Sequence, residues 1–148
     1  SSGGLRFQSS GREVAVTPER NLAVRAVRAF EQATQHTVHL ELHLEKQIPD
    51  GAGLGGGSSD AATVLRILNR LYDSPLSVTA LHTLAVELGA DVPFFLEPQP
   101  CAATGRGEIL QPLPNYPCLP LVLLKLPLNR LLKWQPPFLK LRPTQVLK

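Results

Sequence analysis

Residues 49–60 read Pro-Asp-Gly-Ala-Gly-Leu-Gly-Gly-Gly-Ser-Ser-Asp, and within them five glycines occupy seven positions. Glycine reaches backbone conformations closed to other residues and lets a ligand approach the main chain, so such a loop can turn its N–H groups inward as an anion nest. A helix entered from this loop adds unpaired N–H groups and the positive end of its dipole. A nucleotide's phosphate chain fits that description. The candidate binding residues are therefore Pro49, Asp50, Gly51, Ala52, Gly53, Leu54, Gly55, Gly56, Gly57, Ser58 and Ser59, the two hydroxyls being able to bond a phosphate or touch a phosphate-bound magnesium. A flexible linker or a ligand-free strand-to-helix turn is the competing reading. The loop's length, glycine density and position favour phosphate.

Two common nucleotide signatures fail on context. Gly51-x-Gly53-x-x-Gly56 matches the dinucleotide fingerprint in form, but that fingerprint needs a second parallel strand after the helix, ending in an acidic residue about 20 positions on. Asp73 has the spacing, yet it stands beside Ser74-Pro75 and leads into another helix. A Walker A loop needs Gly-Lys-Ser/Thr, and no lysine lies between Lys46 and Lys125.

Other polar residues carry weaker signals. Asp91 follows the helix-ending Gly89 and precedes Val92-Pro93, a β-biased pair, so it is either a turn former or a carboxylate on a fixed backbone. His39-x-Glu41-x-His43 invites a metal reading, but on a strand the two histidines stand about 13 Å apart and face solvent together. His82 lies within a helix and reads as surface or packing. Gly105-Arg106-Gly107 is either an anion contact or a hairpin turn.

The elements that must position these residues follow from hydrophobic period. Residues 12–16 alternate polar and apolar between Gly11 and Pro18, which predicts a short strand. Leu22, Ala26, Phe30 and Ala33 recur at helical spacing behind Asn21, a good N-cap. Residues 37–45 form the clearest strand, with Val38, Leu40, Leu42 and Leu44 on its core face. Residues 58–72 predict a buried helix, apolar at Ala61, Ala62, Leu65, Leu68 and Leu71, with Ser58, Ser59 and Asp60 capping its first turn. Ser77 opens another helix with the stripe Val78, Leu81, Leu84, Ala85 and Leu88, and Gly89 occupies the place of a left-handed C-terminal residue. Strands are expected at 92–96, 102–104, 108–110 and 119–126. The whole reads as an α+β domain with helices on one side of a largely antiparallel sheet. Residues 129–148 have no convincing period, the range 125–148 is assigned to no domain, and Trp134 with Lys133 and Lys140 does not make a binding tail.

Three ordered segments carry a resemblance. The run from Pro49 to Leu65 resembles the ATP loop of the galactokinase, homoserine kinase, mevalonate kinase and phosphomevalonate kinase (GHMP) superfamily. Its triple glycine before Ser-Ser is most similar to the 4-diphosphocytidyl-2-C-methyl-D-erythritol kinase family of the non-mevalonate isoprenoid pathway. Leu88-Gly-Ala-Asp-Val-Pro-Phe-Phe-Leu96 and Ala103-Thr-Gly-Arg-Gly-Glu108 resemble two further motifs of that family, and the likeness spans about residues 12 to 124. It implies a ribosomal protein S5 domain 2-like fold over residues 1–124, ATP and Mg2+ at the loop, and adenosine-side roles for Asn21-Leu22 and Lys46. It implies Asp91 as the catalytic acid-base residue and a cytidine-diphosphate methylerythritol acceptor. The family's first strand, its lysine and its cytidine-binding Gly-Tyr-His segment fall before residue 1, and its C-terminal domain falls after residue 124. The chain thus reads as a fragment missing both flanks. The rival to a kinase is a non-catalytic remnant that still binds phosphate or serves as a structural element.

Bulk composition sets the outer limits. The chain has 148 residues, 43% hydrophobic and 18% charged, long enough for one domain with a core that needs no metal or disulfide. A net charge of +3 without basic runs speaks against a nucleic-acid binder. Two cysteines outside any paired spacing point to a reduced, cytoplasmic compartment, and no stretch reads as a signal peptide or membrane span. Oligomeric state is left open.

Overall fold

The computed structural model describes residues 4–12, 17–49, 53–117, 120 and 122. Its compact unit, Ser1–Cys118, opens with strand β1 (Arg6–Gly11), a 3-10 turn at Pro18–Arg20 and helix α1 (Leu22–Thr34). Strand β2 (Glu41–Lys46), helix α2 (Gly56–Leu71), helix α3 (Val78–Leu88) and the short helix α4 (Val92–Leu96) follow, and the hairpin β3 (Cys101–Thr104) and β4 (Ile109–Pro112) ends the unit.

Helix α1 begins where its cap allows. The Asn21 side chain accepts from the Ala23 N–H at 2.9 Å, relieving one of the unpaired donors of the first turn. The apolar face is buried through Ala23, Val24, Ala26, Val27 and Phe30, and it packs on α2 through Ala61, Ala62, Leu65 and Leu68. Phe30, Leu65, Leu68, Val27, Val38 and Val92 are the largest fully buried side chains.

Strands β1 and β2 pair in parallel, in register from Arg6 opposite Glu41 to Gly11 opposite Lys46. Parallel neighbours require a crossover, and α1 supplies it. The expected α+β mixture of helices and strands is present, but among the described residues the expected largely antiparallel sheet is not. Two small sheets stand in its place, the parallel pair β1–β2 and the antiparallel pair β3–β4.

Other expectations also move. The first strand lies at residues 6–11 rather than 12–16, and residues 13–16 fall outside the described set. Of the strand expected at 37–45, only residues from Glu41 onward are strand, although Val38, Leu40, Leu42 and Leu44 do turn toward the core. Residues 92–96 are helical, because five apolar residues carry no period and Pro93 sits in a first helical turn, where a missing N–H is harmless. Gly89 closes α3 in an extended conformation, φ 172°, not a left-handed one. Leu71 and Val78 lie at helix ends, 64% and 71% exposed, and contribute nothing to the core. The strand expected at 119–126 lies outside the described residues except Pro120 and Val122, as does the tail at 125–148. Among the described residues no helix is long and apolar enough to cross a membrane.

Candidate nucleotide-binding site

The glycine loop leaves the end of β2 and enters α2 two residues earlier than its serines suggest. Gly55 is the N-cap, left-handed at φ 69° and ψ 15°, and Gly56 is the first helical residue. Ser58, Ser59 and Asp60 are therefore inside the first turn and a half, and among the described residues no side chain caps the helix. The early N–H groups of α2 have no described side-chain partner and suit solvent or a ligand. Ser59 is partly spoken for, since its hydroxyl donates to the Gly56 carbonyl at 2.9 Å.

Glycine is required at two positions for two reasons. At Gly53, φ is 70° and no atom lies within 4 Å of where a methyl group would point, so open space adjoins the main chain. At Gly55 a methyl group would sit 2.6 Å from Phe95 Cζ, and the positive φ would strain any other residue. Phe95 is on α4, so the ring that supports the loop belongs to the helix that Asp91 caps. Gly56 is buried against Ile48, and a methyl on Gly57 would lie 3.5 Å from Leu22 Cδ1, which brings the start of α1 beside the start of α2.

The expected site residues that are described have these places. Asn21 is buried and engaged in capping α1. Lys46 is 5% exposed and forms an ion pair with Asp60 at 2.7 Å. Pro49 is half-buried, Leu54 is exposed, and Asp50, Gly51 and Ala52 lie outside the described residues. Asp91 is exposed with φ −87° and ψ −14°, and the β bias expected of Val92-Pro93 is not realised, since both lie in α4. Asp91 and Phe95 thus share one face, about one turn apart.

Beside Asp91 stands the turn of the hairpin, residues 105–108. A methyl on Gly107 would lie 3.6 Å from Asp91 Oδ1. The Glu108 carboxylate accepts from the Arg106 N–H at 2.7 Å. Its own backbone amide first, then that of Arg106, hold its carboxyl below the usual range. Gly105-Arg106-Gly107 is a hairpin turn, with φ of 69° and 121° at its two glycines.

Residues 21–98 match the family model described as the GHMP kinases N terminal domain. The chain belongs to the GHMP kinases. Among its relatives, the 4-diphosphocytidyl-2-C-methyl-D-erythritol kinase of Solidesulfovibrio magneticus is 52% identical over 74% of this chain and 37% of its own length. The enzyme of the same name from Synechococcus sp. (strain JA-3-3Ab) is 48% identical over 72% of this chain and 34% of its own. A crystal structure of a 4-(cytidine 5'-diphospho)-2C-methyl-D-erythritol kinase superposes with a TM-score of 0.64 at 47% identity, covering 76% of this chain and 39% of that one. The chain spans little more than a third of the length of these relatives.

For this GHMP kinase domain, sequence reasoning missed the roles of two side chains that shape the site. Phe95 reads as one residue of an apolar run, and nothing in its spacing marks it as the neighbour of a glycine. Asp60 read as a cap. Its partner did leave a signal, because the inward row Val38, Leu40, Leu42, Leu44 continues at period two onto Lys46, and a cation at the end of an apolar row needs a counter-charge. His39, Glu41 and His43 are exposed, with His43 Nε2 2.9 Å from the Ser10 hydroxyl. Among the described residues no group of three His, Cys, Asp or Glu side chains could hold a metal ion.

Proposed function

We propose that this chain is the nucleotide-binding part of a kinase that transfers the γ-phosphoryl group of ATP to a hydroxyl of 4-diphosphocytidyl-2-C-methyl-D-erythritol, in isoprenoid biosynthesis. The observation that carries the reading is the left-handed Gly55 opening α2 onto unpaired N–H groups, with open space at Gly53. The likeness to relatives named for that acceptor supports the substrate class.

In this reading the loop from Pro49 to Ser59 wraps the triphosphate, its amides and the α2 dipole offsetting negative charge. Asn21, at the start of α1, belongs to the adenosine side, and Lys46, buried at the start of the loop and paired with Asp60, serves that side through the loop it anchors rather than by direct contact. Asp91 orients the acceptor hydroxyl and takes its proton as the oxygen attacks phosphorus, while most of the acceleration comes from positioning and charge neutralisation. A magnesium ion bound with the nucleotide would supply neutralisation of the charge that develops on the phosphoryl group. With Asp60 paired to Lys46 and the Ser59 hydroxyl bonded to the Gly56 carbonyl, the Ser58 hydroxyl is the loop oxygen among the described side chains that would help to hold the ion.

Single-turnover phosphoryl transfer from ATP in the full-length protein tests this. Asp91→Asn keeps the side chain's size and removes the base, so transfer should slow by about 10²–10⁴-fold while ADP binding stays within about twofold. Transfer at an unchanged rate removes Asp91 from the chemistry. ADP binding without transfer in the unsubstituted protein favours the phosphate-binding remnant.

A further inference from the structure

Lys46 does not sit where a surface contact to a ligand would sit. Period two along β2 turns it inward with Leu42 and Leu44, and 5% of its side chain is exposed. Its Nζ lies 2.7 Å from Asp60 Oδ2, and Asp60 itself is 23% exposed. The same Nζ would be 3.5 Å from a methyl group on Gly56, the first residue of α2. The pair therefore joins the last residue of β2 to the first turns of α2, one partner on each side of residues 47–59. Few other described contacts bind the loop to the body of the domain. Gly56 packs on Ile48, Gly57 lies beside Leu22, and Gly55 leans on Phe95.

We propose that the Lys46–Asp60 ion pair is a latch that fixes both ends of the glycine loop, and that Asp60 is a positioning residue for phosphate binding. This rests on the nucleotide reading of the loop given above. Ordering a loop costs conformational entropy, and a ligand that must order it binds more weakly by the fraction of time the loop is already competent. A short buried charge pair across the loop's ends meets that cost before the ligand arrives.

A simpler role competes with the latch, in which Lys46 merely neutralises Asp60 so that the carboxylate does not repel phosphate. The two differ in sign for Asp60→Asn. Charge balance predicts equal or tighter anion binding, because a cation is freed beside the loop. The latch predicts weaker binding, because the loop's end is released.

The test is titration of the full-length protein with ADP and, separately, with inorganic tripolyphosphate, alongside thermal unfolding. Asp60→Asn should weaken both ligands by about tenfold, as expected if the competent fraction drops to about one tenth. Because an unpaired buried lysine can unfold the domain, a second variant removes both charges. Lys46→Met with Asp60→Leu exchanges a buried pair for apolar packing, which is often neutral for stability, so it should fold and still lose about tenfold for both ligands. Unchanged or tighter binding in either variant overturns the latch, whatever happens to the melting temperature. Loss of ADP binding with tripolyphosphate binding intact also overturns it, since Lys46 would then be contacting the nucleoside directly. If the unsubstituted protein binds neither ligand, the nucleotide reading falls first and the latch with it, a failure visible before any substitution is made.

Discussion

Gly55 meets two demands at once. Its left-handed φ of 69° disfavours any residue with a Cβ by about 1–2 kcal/mol, and a methyl there would overlap the Phe95 ring. Gly55→Ala should therefore shift the start of α2 or push α4 aside, and weaken ADP binding by more than about tenfold, each decade corresponding to about 1.4 kcal/mol. Adding Phe95→Leu makes room for the methyl but leaves the backbone strain, so the double variant should recover only part of the loss in a calorimetric titration. Full recovery would mean that the ring alone demands glycine, and no recovery that φ alone does. At this scale the sequence was informative about which residues matter and silent about why. Five glycines in seven positions single out the loop, but that Gly55 faces an aromatic ring and Gly56 a lysine depends on neighbours 40 residues later and 10 earlier, which no local pattern encodes.

Helices were more legible than strands because their signals are local. Asn21 and Ser77 cap α1 and α3 as expected, the Ser77 hydroxyl accepting from the Ala80 N–H at 3.2 Å. Strand β1 was not legible, since Arg-Phe-Gln-Ser-Ser-Gly has no alternation and owes its place to main-chain bonds with β2. Helix α4 was misread as a strand because a five-residue apolar run has no period to read. The join between α2 and α3 shows a further device invisible to periodicity. Asn69, buried in α2, accepts from the Leu76 N–H at 2.9 Å and donates to the Leu76 carbonyl at 3.0 Å, closing residues 70–75, two of which, Asp73 and Ser74, have positive φ. Asn69→Ala leaves both Leu76 groups without that partner and should cost about 2 kcal/mol, read from the midpoint of urea unfolding. A loss below about 0.5 kcal/mol would show that water replaces the amide and that the bracket contributes little.

Across the compact unit, the site is assembled from three stretches of chain that α1 and α2 hold together. Leu22 precedes the α1 contact, residues 46–59 lead into α2, and Phe95 reaches back to Gly55 from α4. The family resemblance named these stretches in order along the chain, whereas their meeting point depends on the packing of Phe30, Leu65 and Leu68 between the two helices. Stability and binding should therefore be separable by distance along α2. Leu65 is fully buried and nine residues into the helix from Gly56, about 13 Å along its axis. Leu65→Ala should destabilise by about 3 kcal/mol, a large share of the 5–15 kcal/mol typical of a domain, through lost transfer energy and the cavity left behind. Well below its lowered melting temperature the same variant should bind ADP within about twofold of the unsubstituted protein, because neither the start of α2 nor the Lys46–Asp60 pair has moved. Guanidinium unfolding and calorimetric titration at low temperature measure the two quantities independently. A parallel loss of ADP affinity would show that the loop is held by the core as a whole, and that the contacts at Gly55, Gly57 and Lys46 are too weak to position it alone.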